Sequence, residues 1–204
     1  MRRFIIAGLI ILGTASVIGL YFFNQYWIHR YDELIARHAG VYRLDEKLVW
    51  SVIYEETYFR AWIIGDDKEV GLMQITPTVA AEWAAETGLK NLKAQAENDV
   101  INLLRDPETN IQIGCWYLEK LRANYRGFPA ERSMTLAAYN AGASRVAEWT
   151  RDTDPSKLTR QEFISRITIP STKAYVSSII QRFDAEQAKK NEVNFRPIRS
   201  ADFQ

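Results

Sequence analysis

The sequence predicts an all-α domain behind one N-terminal transmembrane helix, on three observations. Phe4 to Phe23 is an uncharged run preceded by Arg2 and Arg3. Beyond it, strand-like alternation is scarce and helix-start signals recur, at Asp45, Thr76-Pro77 and Pro107. Hydrophobic residues make up 47% and aromatics 12% of the 204-residue chain, enough to pack a core and too many for a disordered one.

The apolar run sets the first boundary. Twenty residues of helix rise about 30 Å, the thickness of a bilayer core. A cleavable signal has a shorter apolar stretch and a small-residue exit. Here Tyr21-Phe22-Phe23 and then Tyr26-Trp27 come next, aromatics suited to a membrane interface. The run therefore reads as a retained anchor, against the alternative of a cleaved signal. No cysteine near its end can carry a lipid. Arg2 and Arg3 favour a cytoplasmic N-terminus, with the domain outside. The expected division is a cytoplasmic start at 1–3, an anchor at 4–23, a polar helical stalk at 24–40, the globular domain at 41–185 and a polar tail at 186–204.

Along the domain, Asp45 is placed to cap a helix running from Lys47 to Phe59. Thr76 caps the next, which Pro77 opens and Gly88 closes. Asp99 to Leu104 is a short amphipathic piece. Pro107 to Tyr125 is a long helix with Ile111, Cys115, Leu118 and Arg122 along one face, broken by Gly127 and Pro129. Ser133–Tyr139, Ala143–Thr150, Leu158–Arg166 and Ser171–Ala188 complete the set, with a turn at Asp152–Pro155.

Composition excludes several chemistries. A formal net charge of +1 gives no basic face for nucleic acid. Cys115 is the only cysteine, so neither an intramolecular disulfide nor a CxxC metal site can form. Its place on the apolar stripe suits a small buried filler. Both histidines, His29 and His38, precede the globular region, which argues against Ser-His-Asp, Cys-His and multi-His zinc centres. No Asp-x-Asp-x-Asp-Gly loop is present, so no calcium site is expected. No metal or cofactor is expected.

The first helix carries the chemistry. Leu48, Val49, Val52, Ile53 and Phe59 define its apolar face at about 100° per residue. Glu56 falls near the middle of that face and Glu55 at its edge. A carboxylate there loses hydration, which raises its pKa and suits a general acid near neutral pH. The structural alternative is a buried glutamate paired with an arginine. Further on, Gly71-Leu72-Met73-Gln74-Ile75-Thr76-Pro77 places an amide that both donates and accepts at a helix entrance. Local capping explains the same residues. Ala137-Ala138-Tyr139-Asn140-Ala141-Gly142 sets a phenol and an amide among small residues at a helix end, which equally describes a C-cap with a core tyrosine.

Together these segments resemble the soluble lytic transglycosylase family, whose fold is shared with goose-type lysozymes. The family pattern Glu-Ser-x-Phe, Gly-Leu-Met-Gln, Ala-Tyr-Asn-Ala-Gly appears as Glu56-Thr57-Tyr58-Phe59, Gly71-Leu72-Met73-Gln74 and Ala138-Tyr139-Asn140-Ala141-Gly142. Asn110-Ile111, Gly114 and Tyr117-Leu118 match its central helix, and Ser171-Thr172-Lys173-Ala174-Tyr175-Val176 its last element. The resemblance covers about residues 41–185 and implies a lysozyme-like helical domain with a sugar-binding groove. It implies Glu56 as the single acid and base. Thr57, Gln74, Thr76, Tyr139, Asn140 and Tyr175 are implied as substrate-binding residues. Tyr58, Trp62 and Trp83 can stack on sugars or pack in the core. Three departures stand out: Thr57 for serine, Gly65 for a groove-facing serine and Ser171 for glutamate. Asp66, Asp67 and Glu69 are expected to be solvated.

The activity so implied is cleavage of the β-1,4 bond between N-acetylmuramic acid and N-acetylglucosamine in peptidoglycan, closing a 1,6-anhydro ring without water. A lysozyme-type muramidase and a catalytically weak, anchored peptidoglycan-binding module are the alternatives. The expected setting is the bacterial cytoplasmic membrane, single-pass, with the domain extracytoplasmic and beside a cell-envelope assembly.

Overall fold

The apolar N-terminal run continues as one helix well past its predicted end. A computed structural model describes residues 2–88 and 97–194 of the chain. In it α1 spans Arg2–His29 without a break, and α2 comes next at Asp32–Val41. The apolar stretch of α1 is long enough to cross a bilayer and none of it is buried against the rest of the protein. The expected stalk is not one. Ile35, His38 and Ala39 of α2 are buried against α3 (Glu46–Thr57) and α6 (Pro107–Ala123). The globular body therefore begins before Val41, because α2 carries an apolar stripe that its charged residues obscure in the sequence.

The remaining helices are α4 (Pro77–Glu86), α5 (Glu97–Arg105), α7 (Glu131–Ala141), α8 (Ala143–Thr150), α9 (Arg160–Arg166) and α10 (Pro170–Asn194). Among the described residues there is no strand longer than an isolated bridge, as an all-α fold requires. The caps are those the residue types dictate. The Asp45 carboxylate accepts from Lys47 N at 2.8 Å, Thr76 Oγ1 accepts from Val79 N at 3.3 Å and the Asp106 carboxylate accepts from Thr109 N at 2.8 Å. Asp106 caps α6 with Pro107 at its first position, which separates α6 from α5 by a single residue. α10 extends to Asn194, so the expected tail from 186 is helical at its start; its residues 195–204 lie outside the described part.

α3 lies against α10 on one side and α2 on the other, and α7 packs against α6, α8 and α10. Leu48, Val49, Val52 and Ile53 of α3 join Ile111, Ile113, Cys115 and Leu118 of α6 and Val176 and Ile179 of α10 in one core. Cys115 is buried and burial pushes its thiol up to about 12, as an inert filler.

The loop between α3 and α4 is held in shape by α6. Here the chain folds back twice, through antiparallel bridges Ile64–Val70 and Val70–Ile75. Asn110 of α6, fully buried, fastens it. Its Oδ1 accepts from Met73 N at 2.8 Å, and its Nδ2 donates to Val70 O at 2.8 Å and Leu104 O at 2.7 Å. Gly71 has φ +76°, and a β-carbon there would run into the Asn110 amide and the Leu104 carbonyl. Gly114 leaves the space that the Met73 side chain fills.

Asn110→Ala would strand three buried backbone groups, each costing about 1–3 kcal/mol. We expect a loss of at least about 3 kcal/mol, read as a lowered unfolding midpoint in urea, with Asn110→Asp intermediate.

Candidate active site

The last turn of α3 presents two adjacent carboxylates with different partners. Glu55 accepts from Ser178 Oγ at 2.7 Å and pairs with Arg182 Nη1 at 3.0 Å, both on α10. The Arg182 guanidinium also lies over the Tyr54 ring, 4.0 Å from its centroid. Glu56 pairs instead with a neutral group: the Tyr175 hydroxyl donates to its Oε1 at 2.6 Å. The guanidinium that would make Glu56 a structural glutamate is thus held by its neighbour.

This pairing sets the protonation state of the acid. Burial pushes the Glu56 carboxyl from 4.5 up to about 7. The Tyr175 hydrogen bond opposes the rise, and the charges of Glu55 and Glu69 add to it. The phenols of Tyr139 and Tyr175, deep beside Glu56, are held neutral well above their usual range, chiefly by burial and then by the Glu56 charge. The site is therefore a carboxylic acid raised to titrate in the neutral range, beside two neutral phenols.

The other expected residues lie at the end of α3, on the loop before α4 and at the end of α7. Tyr139 donates to Met73 O at 2.7 Å and so ties α7 to the Gly71–Gln74 turn. Gln74 stands in the left-handed region at φ +49°, its Nε2 donating to Gly71 O at 2.9 Å. Asn140, exposed at the end of α7, accepts from Thr172 Oγ1 at 2.7 Å across to α10. Thr76 is partly buried and serves as the cap of α4. Thr57 requires correction: it is 1% exposed and its hydroxyl donates to Leu72 O at 3.1 Å. It fastens the loop to α3 from behind and has no surface to offer a substrate. The hydroxyl shared by serine and threonine explains why either residue serves there. Ser171 is exposed in the first turn of α10. Trp83 is core, whereas Trp62 is 55% exposed.

Glu69 departs from the solvated reading that holds for Asp66 and Asp67. Its side chain lies against Gly65, in the space a β-carbon at 65 would need. Its Oε2 is buried without a hydrogen-bond partner. The glycine at 65 and the glutamate at 69 thus go together. Neither this pairing nor the Ser178 and Arg182 clamp could be read from the sequence, since each depends on how distant segments meet. Among the described residues no group of three or more His, Cys, Asp and Glu side chains could hold a metal ion.

A helical domain with a half-buried carboxylate of raised pKa at the end of one helix, faced by a loop held on a buried asparagine, defines a lysozyme-like class of protein. The Transglycosylase SLT domain model matches residues 33–161, and the chain belongs to that family. The match begins inside α2, in keeping with that helix being part of the body. Among relatives, the chain is 28% identical over 166 residues to the membrane-bound lytic murein transglycosylase E of Buchnera aphidicola, covering 78% of this chain and 70% of the relative. It is 26% identical over 150 residues to the soluble lytic murein transglycosylase of Escherichia coli, covering 74% of this chain but only 22% of that relative. It is 33% identical over 138 residues to the membrane-bound lytic murein transglycosylase C of Histophilus somni, covering 64% of this chain and 37% of the relative. An inactive mutant of the lytic transglycosylase Slt from Pseudomonas aeruginosa superposes with a TM-score of 0.69 at 24% identity, over 81% of this chain and 25% of that one, and shares the fold.

Two outcomes test the electrostatics. Tyr175→Phe removes the bond that lowers the Glu56 pKa, so any activity needing the protonated acid should persist to higher pH than in the parent. Glu55→Gln should move the same alkaline limb to lower pH, since it removes a negative charge; pH–rate profiles read both. Stability gives an independent check. From 4.5 up to about 7 the folded chain keeps a proton that the unfolded chain releases, so stability falls as pH rises across that window. Glu56→Gln should therefore gain up to about 3 kcal/mol over the parent at pH 8 and almost nothing at pH 4, by urea titration.

Proposed function

We propose that this chain is a peptidoglycan lytic transglycosylase with Glu56 as its acid and base. One observation carries the reading: burial raises the Glu56 carboxyl to about 7, so that it titrates in the neutral range, while Arg182 is engaged by Glu55. In the reaction, the Glu56 carboxyl protonates the glycosidic oxygen between N-acetylmuramic acid and N-acetylglucosamine. The C1–O bond breaks and positive charge develops at the anomeric carbon, which the substrate's own acetamido group helps to stabilise. The Glu56 carboxylate then takes the proton from the muramoyl 6-hydroxyl, whose oxygen bonds to the same carbon. The products are a 1,6-anhydro end and a free 4-hydroxyl, and water is not consumed. An internal nucleophile held close has an effective concentration up to ~10⁵ M or more, which is why no second carboxylate is required. In this reading Tyr175, which donates to Glu56, orients the acid, Tyr139 lies near it, and Gln74 and Asn140 supply amides that a sugar or its acetamido groups would meet.

A second reading has one observation in its favour. Glu69, tucked over Gly65 and adding its charge to the Glu56 site, is a second carboxylate near the acid. If it served as base for a water molecule the enzyme would be a muramidase. An anchored module that binds glycan without cleaving it is the third.

The membrane setting rests on α1 and on membrane-bound relatives. In our reading residues 4–23 cross the cytoplasmic membrane once, with Arg2 and Arg3 inside and the domain outside. A cell-envelope assembly at that membrane is the partner such an enzyme would serve.

Digestion of purified peptidoglycan by the full chain in detergent, with product masses, separates these readings. Anhydro ends are expected; reducing ends, heavier by one water, would make it a hydrolase, and binding without fragments would make it a scaffold. Glu56→Gln should lose at least about 10²-fold to 10⁴-fold in rate without unfolding.

A further inference from the structure

The end of α1 is fastened to the turn just after Glu56. Tyr58 and Phe59 both stand in the left-handed region, at φ 51° and 60°, and so turn the chain sharply away from α3. Three groups near the end of α1 meet this turn. Trp27 Nε1 donates to Tyr58 O at 2.9 Å, the Arg30 guanidinium donates to Phe59 O, and the Tyr58 hydroxyl donates to Asn24 Oδ1. Trp50 of α3 adds a fourth tie, donating from Nε1 to Ile28 O at 3.0 Å. The Arg30 guanidinium lies over Trp27, 3.6 Å from the ring centroid.

These contacts set the height of the turn above the bilayer. Residue 24 lies about 1.5 Å, and residue 27 about 6 Å, beyond Phe23 along a straight helix. The headgroup layer on each side of the hydrocarbon is about 5–8 Å thick. The Tyr58–Phe59 turn is therefore at headgroup level wherever Phe23 marks the edge of the apolar core. Outside α1, the exposed large hydrophobic side chains are Val41, Trp62 and Ile64 among the described residues. Two of these three lie just after the turn. Trp62 is 55% and Ile64 42% exposed, and the Trp62 ring meets the Trp27 ring edge-on at 5.9 Å. A shallow groove is lined by Phe23, Asn24, Trp27, Tyr58 and the exposed Arg60, whose Nε donates to Thr57 O at 2.7 Å.

We infer that the segment from Tyr58 to Ile64 is a membrane-docking surface, with Trp62 and Ile64 seated in the headgroup layer and Arg60 facing anionic lipid phosphate. An amphipathic indole beside a cation is suited to that layer and to neither water nor hydrocarbon. This rests on the reading of residues 4–23 as the anchor. Its consequence is a substrate class: glycan lying against the outer face of the membrane, since Glu56 is two residues from the docked turn.

The test uses single cysteines in the full chain, reconstituted in phosphatidylcholine–phosphatidylglycerol vesicles; native Cys115 is buried and does not compete for label. A fluorophore is placed by Trp62→Cys, Ile64→Cys, Ile11→Cys (mid-anchor) or Asp152→Cys (exposed turn after α8). Quenching is measured with nitroxides at the lipid headgroup and deep in the acyl chains. The expected result is strong headgroup-nitroxide quenching at 62 and 64, deep quenching at 11 and little of either at 152. Deep quenching at 11 with none at 62 and 64 would overturn the docking surface and leave the anchor standing. No quenching at 11 would overturn the anchor and the docking surface together. Quenching at 152 equal to that at 62 would also overturn it, as the domain would then lie on the membrane without preference.

Discussion

Which of two neighbouring carboxylates receives a guanidinium determines the chemistry available to this domain. Glu55 and Glu56 leave α3 on successive residues, about 100° apart around the helix. That angle directs one toward Ser178 and Arg182 on α10 and the other toward the interior and Tyr175. With Arg182 engaged, Glu56 has only a neutral hydroxyl as its partner, and burial raises its carboxyl to about 7. An exchange of partners would leave an ionised Glu56 and no acid. α10 matters for this reason: one helix supplies both the clamp on Glu55 and the phenol on Glu56.

The same constraint explains why the loop before α4 is built as it is. A polar group facing a buried acid must itself be firmly held, or it would collapse onto the acid or admit water. Asn110 holds the Gly71–Gln74 turn from below, Thr57 from the side of α3 and Tyr139 from α7. Each of these ties ends on a backbone atom of the loop, so the loop's shape is specified by its scaffold. The Gly65–Glu69 pair is a local variation on this frame: a glycine gives up its side chain and a glutamate takes the volume.

Most helices, and the seating of the Glu56 carboxylate among apolar neighbours, are legible in the sequence because capping residues and the apolar stripe of α3 are local signals. Asp45, Thr76 and Asp106 start helices where their side chains reach backbone N–H groups two or three residues on. A packed α2 is not legible, because it buries only one narrow stripe, Ile35, His38 and Ala39, within a charged segment. The helix bearing Glu56 ends two residues earlier than its apolar pattern predicts. Consecutive left-handed residues, Tyr58 and Phe59, stop it, and contacts from α1, some thirty residues away, stabilise them. The motif places Thr57 among the substrate contacts, and only the packed loop shows that its hydroxyl points to Leu72. Site geometry of this kind depends on which distant segments meet, and no window of sequence contains that.

Family membership and the raised pKa of Glu56 fit together: the Transglycosylase SLT domain frame supplies the buried position, and the engagement of Arg182 by Glu55 supplies the protonation state. The most direct measurement is a titration of the Glu56 carboxyl itself, by carbon-13 NMR of glutamate-labelled protein with Glu56→Gln used to assign the resonance. A midpoint at about 7 is predicted. A midpoint near 4.5 would contradict the assignment, since Glu56 would then be an ordinary carboxylate with no proton to give at neutral pH.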